Sequence, residues 1–153
     1  MAQERTLVLI KPDGVKRNLI GAIIERFERK GLTIAGMQLR IPDQALAEQH
    51  YDVHRERPFF KALISFITSA PVVALAIDGD DAVAVVRNLM GATDGRKSAP
   101  GTIRGDFGCS IGANLVHGSD SAENAAKELA IWFPDGQGLF DWQRADVDWL
   151  DAD

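Results

Sequence analysis

The chain is poor in cysteine and histidine, has no general excess of positive charge and carries no long apolar run. Its one cysteine, Cys109, excludes an internal disulfide and suits a reducing compartment. The start, "MAQERTLVLIKPDG", mixes charge into its first residues, and its apolar run is too short for a signal peptide. The longest apolar stretch, "APVVALAI", falls far below a membrane span and contains a proline, so the expected location is the cytoplasm, with no membrane partner. The formal charge of −5 is unevenly spread: residues 135–153 hold six Asp and one Arg, which leaves residues 1–134 formally neutral. A general basic surface is absent, so no obligate nucleic-acid partner is expected. Any anion site has to be a local cluster of Arg and Lys.

At 153 residues the chain fits one domain, 1–153, with a core that needs no metal or disulfide staple. Periodicity and turn chemistry divide it without repeats or linkers. "RTLVLI" reads as a strand that "KPDG" ends in a turn, and "NLIGAIIERFERKG" as a helix capped by Asn18 and closed by Gly31. "LTIAGMQLRI" is a second strand, Asp43 caps a short helix, and Pro58 stands in the first turn of another. "PVVALAI" is a third strand, followed by a helix that Gly91 closes and a Gly/Pro-rich loop over 92–108. "ANLVH" is a fourth strand, leading to a helix from about Ser121 to Phe133. This order implies an α/β (α+β) fold, a ferredoxin-like sandwich in which helices cover a four-stranded antiparallel sheet.

Two motifs mislead. "GATDGRKS" looks like a P-loop, but its glycine spacing is wrong and it follows a helix where a P-loop follows a strand. "HYDVH" sets His50 and His54 four apart, yet no glutamate follows His50 and no thiolate cluster exists to complete a metal site. His117, in "NLVHGSDS", is more informative. It lies between a strand and a helix start, Gly118 leaves its approach open, and Ser119, Asp120 and Ser121 can cap the helix whose N-terminus favours an anion. A plain turn residue, a metal ligand and a nucleophile all remain possible for it on this stretch alone. Lys11, Arg87 and Arg104 would form a polyphosphate site if the long loop folded over the sheet end; singly, each reads as surface charge.

Taken together, "TLVLIKPDGV", "HYDVHRERPFF", "GATD…PGTIRGDF" and "NLVHGSDSAENAAKELAIWF" resemble the nucleoside diphosphate kinase family over nearly the whole chain. The resemblance implies a ping-pong enzyme that passes the γ-phosphate of a nucleoside triphosphate to a diphosphate through a phosphohistidine on His117, with Glu128 orienting the ring. It implies that Lys11, Tyr51 and Asn114 contact the transferred phosphate or the sugar hydroxyls. Arg87, Thr93 and Arg104 would hold the other phosphates, and Gly118 and Ser119 would shape the turn. Phe59 would stack on the base, with Leu63 and Ile111 lining the slot. Mg²⁺ would ride on the nucleotide, touched by Asp120 through water. Gly95 stands where many relatives have proline, which implies either a more flexible loop or a shift in its subunit contacts. A homo-oligomer is expected, a hexamer in preference to a tetramer, with the acidic, aromatic-containing segment 135–153 packed into subunit contacts. The competing reading is a non-catalytic nucleotide- or nucleic-acid-binding regulator on the same fold, which the full set of matched residues opposes.

Overall fold

The computed structural model describes residues 3–150; Asp151 and Asp153, counted above with the acidic segment, lie outside the described residues. Four strands, β1 (Gln3–Ile10), β2 (Thr33–Arg40), β3 (Val72–Asp80) and β4 (Val116–Gly118), form one sheet in the order β2-β3-β1-β4. Every neighbouring pair is antiparallel, as the ferredoxin-like arrangement requires. Seven helices surround it: α1 (Pro12–Lys16), α2 (Ile20–Arg29), α3 (Gln44–His50), α4 (Phe60–Ile67), α5 (Ala82–Met90), α6 (Ile103–Phe107) and α7 (Ala122–Trp132).

The unbroken apolar runs of β1 and β3 follow from burial on both sheet faces, because successive side chains point to opposite sides. Val8, Ile10, Val73, Leu75 and Ile77 pack with Ile23 and Phe27 of α2 and with Val86 and Met90 of α5. Leu7, Leu9, Ala74 and Ala76 pack with Ala47 of α3, Ile67 of α4, and Leu129 and Trp132 of α7. The helices gain most of their stability from these faces, since pieces this short do not persist alone in water.

Several local expectations are met. The Asp43 carboxylate accepts the Leu46 N–H at 2.8 Å and Ser121 Oγ accepts the Asn124 N–H at 3.0 Å, so both residues are N-caps. Others are corrected. "KPDG" opens a helix instead of a turn: Lys11 is the extended N-cap and Pro12, which needs no amide donor, takes the first position. Asn18 does not cap α2; it takes φ +59°, which its short polar side chain tolerates, and Leu19 holds the N-cap position without a side-chain bond. Pro58 stands one residue ahead of the α4 N-cap, Phe59, and so lies outside the first turn. The 92–108 loop contains α6, whose cap is the Thr102 hydroxyl accepting the Gly105 N–H at 2.9 Å. The fourth strand is shorter than "ANLVH" suggests, because Leu115 has φ +74° and no strand residue takes that value.

The acidic C-terminal segment packs, and it packs on its own chain. The Phe140 N–H donates to Ala35 O at 2.8 Å and Trp142 Nε1 to Ile34 O at 3.0 Å, covering one half of the edge strand β2. Arg144 donates to Glu28 O and Leu32 O, and Asp141 pairs with Arg5 at 2.7 Å. Trp149 is left 87% exposed. Deleting a buried aromatic leaves a cavity, so Phe27→Ala should lose about 3–5 kcal/mol in urea unfolding. Trp149→Ala should stay within about 0.5 kcal/mol of the unsubstituted chain; comparable losses in the two would contradict this account of the core.

Candidate active site

The site starts from the pairing of β4 with β1, which sets Leu9 opposite His117 and Val8 opposite Gly118. Alternation then sends His117 and its successor to opposite faces. A side chain on Gly118 would meet Met90 Sδ at 2.5 Å, so glycine is required by packing against α5 and does nothing to open the approach to the imidazole. His117 faces α7, where its Nε2 lies 2.8 Å from Glu128 Oε1 and 3.1 Å from Oε2. A carboxylate only accepts, so in the neutral ring Nε2 carries the proton and Nδ1 keeps its lone pair. The carboxylate is fixed in turn: the buried Ser119 hydroxyl donates to Glu128 Oε1 at 2.7 Å. Ser119 therefore supports Glu128, and capping of α7 belongs to Ser121, with Asp120 accepting from the Asn124 side chain at 2.6 Å.

A second histidine, His50, which the sequence presents only as half of an incomplete metal pair, stands beside the first. Trp132 Nε1–H donates to His50 Nδ1 at 3.1 Å, and the His50 ring stands edge-on to His117 with centroids 4.7 Å apart. Burial, followed by His117, Lys11 and His54, holds the His50 pKa well below the usual imidazole value, so the ring is neutral. The only sequence signal for it was its place beside the matched Tyr51. Among the described residues His50, His117 and Glu128 bring donor atoms within 4.8 Å of one another. Glu128 engages His117 Nε2 and Trp132 engages His50 Nδ1, so one nitrogen of each ring is tied into a hydrogen-bond network. The spacing that paired His50 with His54 is not used; His54 instead sits 5.4 Å from the Phe59 ring.

The three basic residues do gather, all on one short segment. Lys11 Nζ donates to Asn114 Oδ1 at 2.9 Å, Arg87 to Gly118 O at 3.1 Å, and Arg104 to Asn114 O, Val116 O and Gly91 O at 3.1, 2.7 and 3.2 Å. Asn114 Nδ2 reaches Thr93 O at 3.2 Å, tying the loop to the same segment. Burial first, then Arg87, brings the Arg104 pKa down to about 10, and burial, then Arg104, brings Lys11 down to about 8. Burial, then Glu128, pushes the Tyr51 phenol up to about 12, so it remains a proton donor at ordinary pH. Gly95 gives no slack to the loop: a side chain there would sit 2.5 Å from the Gly108 carbonyl carbon, because the two backbones are in contact.

A cavity of about 450 Å³ is lined by His50, Tyr51, Arg87, His117, Asp120 and Glu128 among others. Lys11, Thr93, Arg104 and Asn114 do not line it, and neither do the three expected base-contacting residues. Phe59 is 47% exposed and Ile111 56% exposed, while Leu63 packs against the core.

The family model for nucleoside diphosphate kinase matches residues 4–137. The chain is 56% identical over 147 residues to a nucleoside diphosphate kinase of Nostoc punctiforme, covering 96% of this chain and 98% of that one. With a nucleoside diphosphate kinase of Archaeoglobus fulgidus the identity is 51% over 147 residues, covering 96% and 97%. A halophilic nucleoside diphosphate kinase from Halobacterium salinarum, solved in complex with CDP, aligns at a TM-score of 0.93 and 49% identity, over 98% of this chain and 99% of that one. Fold, site and relatives define an α+β phosphotransferase that acts on nucleotides. The chain belongs to the nucleoside diphosphate kinase family, whose enzymes bind nucleotides and in general need a divalent metal. No helix among the described residues is long and apolar enough to cross a membrane.

The shifted lysine is directly measurable. The folded chain sheds the Lys11 proton near pH 8 and the unfolded chain near 10.5. Between those values the unfolded state binds more protons, so this residue's contribution to stability rises with pH across the window. Nitrogen-15 NMR of Lys11 Nζ should give a midpoint near 8; a midpoint in the ordinary lysine range would contradict its burial.

Proposed function

We propose that the chain passes the γ-phosphate of a nucleoside triphosphate, typically ATP, to a nucleoside diphosphate through a phosphohistidine on His117. The bond from His117 Nε2 to Glu128 carries this reading, because it leaves Nδ1 as the ring's free nucleophile. In the first half-reaction the Nδ1 lone pair bonds to the γ-phosphorus while the P–O bond to the β-phosphate breaks and the diphosphate leaves. In the second, a terminal oxygen of the incoming diphosphate bonds to that phosphorus, and the N–P bond returns its electron pair to Nδ1. Glu128, steadied by Ser119, offsets the positive charge that develops on the ring.

The remaining residues position and neutralise, which is most of what phosphoryl transfer asks of a protein. Lys11, Tyr51 and Asn114 serve the moving group and the sugar hydroxyls, Arg87, Thr93 and Arg104 the other phosphates. Arg104 also braces the Asn114–Val116 backbone. Gly118 and Ser119 hold the turn. Mg²⁺ suits the oxygen chemistry here: the exposed Asp120 carboxylate, kept below its usual range first by Asn124, offers an acceptor for an ion-bound water. When bound, the ion neutralises phosphate charge. Phe59 offers a half-exposed face for stacking, with Leu63 and Ile111 beside the base, and stacking reads no base edge. Mixed with γ-labelled ATP and Mg²⁺ but no acceptor, the protein should acquire an acid-labile label on His117 that GDP then removes. Label that survives acid, or that persists in His117→Ala, contradicts this mechanism.

The working form is a cytoplasmic homo-oligomer, a hexamer in preference to a tetramer. Its support in this chain is the free half of β2 and the residue after it, where Met37, Leu39 and Ile41 are 61%, 62% and 60% exposed along one edge. Apolar side chains in such a row mark a contact surface. Leu39→Asp should lower the sedimenting mass; an unsubstituted chain that runs as a monomer contradicts the assembly, and an unaltered mass in Leu39→Asp contradicts the role of this row.

A further inference from the structure

Four residues other than glycine have positive φ among the described residues: Asn18, Asp81, Leu115 and Asp135. Asn and Asp visit that region readily; a leucine does so only under constraint. Leu115, at φ +74° and fully buried, is the centre of a three-residue turn, because the Val116 N–H donates to Asn114 O at 2.8 Å. This is the strained hand of the γ-turn. It lies two residues before His117.

The constraint comes from the other end of the sequence. Asp13 Oδ2 accepts the Leu115 N–H at 3.0 Å, and the Lys11 N–H donates to Leu115 O at 2.8 Å. Asp13 is in the first turn of α1, where an acid would serve the helix N-terminus. Instead, its carboxylate reaches a residue 102 positions away, and its second oxygen, Oδ1, is buried without a partner among the described residues. Burying half a carboxylate idle is costly unless the other half performs a task. The turn it holds presents the Asn114 side chain to Lys11 Nζ and Thr93 O, and leads directly into the strand that carries His117.

We infer that Asp13 is a positioning residue for phosphoryl transfer: its carboxylate latches Leu115 in the strained turn and so sets Lys11, Asn114 and His117 relative to one another. The inference rests on His117 being the phosphoryl carrier. A latch on strain has a specific signature, since removing the strain should make the latch dispensable. Glycine takes φ +74° freely, so Leu115→Gly supplies the strain-free background.

The test is the rate at which ATP phosphorylates His117, measured in single turnover for D13A, D13N, L115G and D13A/L115G. D13A should slow the reaction by about tenfold or more in the native background and by less than about threefold in the L115G background. D13N, whose amide oxygen still accepts the Leu115 N–H, should stay much closer to the unsubstituted rate than D13A does. Loss of folding in D13A that L115G relieves is the same coupling and supports the latch. Equal costs in the two backgrounds, an unaltered D13A rate, a D13N rate as low as that of D13A, or a folding loss that L115G does not relieve would overturn it. If the unsubstituted protein forms no phosphohistidine, the carrier reading itself fails. The latch is then judged by hydrogen exchange of the Leu115 amide, which should accelerate in D13A and remain slow in D13N; equal exchange in both overturns it.

Discussion

Three residue pairs between β1 and β4 hold the site together. Val8, Leu9 and Ile10 face Gly118, His117 and Val116, and every functional contact is measured from that register. Because the second half of β1, Thr6–Ile10, is fully buried, its position is fixed by packing on both faces, and the short β4 that pairs with it inherits that rigidity. The chain leaves β1 at Lys11, directly across from the turn that feeds β4, so a lysine and an asparagine 103 residues apart meet at 2.9 Å. A slip of one residue would send His117 toward α5 and Gly118 toward Glu128.

The electrostatics around this register differ from those of the chain as a whole. Residues 1–134 are formally neutral, yet Lys11, Arg87 and Arg104 converge on Asn114–Gly118 with backbone and amide oxygens as their partners. Burial first, and then repulsion from the neighbouring arginine, lowers the pKa values of Lys11 and Arg104. Such a cluster is poised for an anion, since a phosphate supplies the countercharge that the protein withholds. At the imidazole itself the order is reversed: Glu128 accepts the hydrogen bond of Nε2–H, and Ser119 steadies Glu128. The segment that carries His117 thus gathers the basic residues along its backbone, while a carboxylate defines the tautomer of the ring.

Strain and support are distributed unevenly across the site. Leu115 stores an unfavourable backbone angle, whereas Gly95 and Gly118 are glycines because other atoms occupy the space of a side chain. The first is a conformational cost offset by the hydrogen bonds that Leu115 gives to Asp13 and accepts from Lys11; the others are steric requirements of the loop and of α5. The C-terminal segment adds a separate brace, on β2 through Phe140 and Trp142 and on the α2–β2 connection through Arg144.

The sequence by itself determined the sheet, most helices and the class of chemistry. Those depend on local periodicity, on caps such as Asp43 and Ser121, and on motifs whose residues lie close in the chain. It also placed His117, Glu128, Lys11, Asn114 and the arginines together, although only through resemblance and not through any spacing rule. Tertiary structure alone decided which face each residue serves. Gly118 was read as an open approach and proved to be a packing requirement against Met90, because strand alternation acts only once β4 is paired. The contacts of His50 and Asp13 were not legible because their partners, Trp132 and Leu115, lie 82 and 102 residues away. Contacts that distant leave no periodic trace in a single sequence; folding creates them by packing α3 against α7 and α1 against the turn before β4.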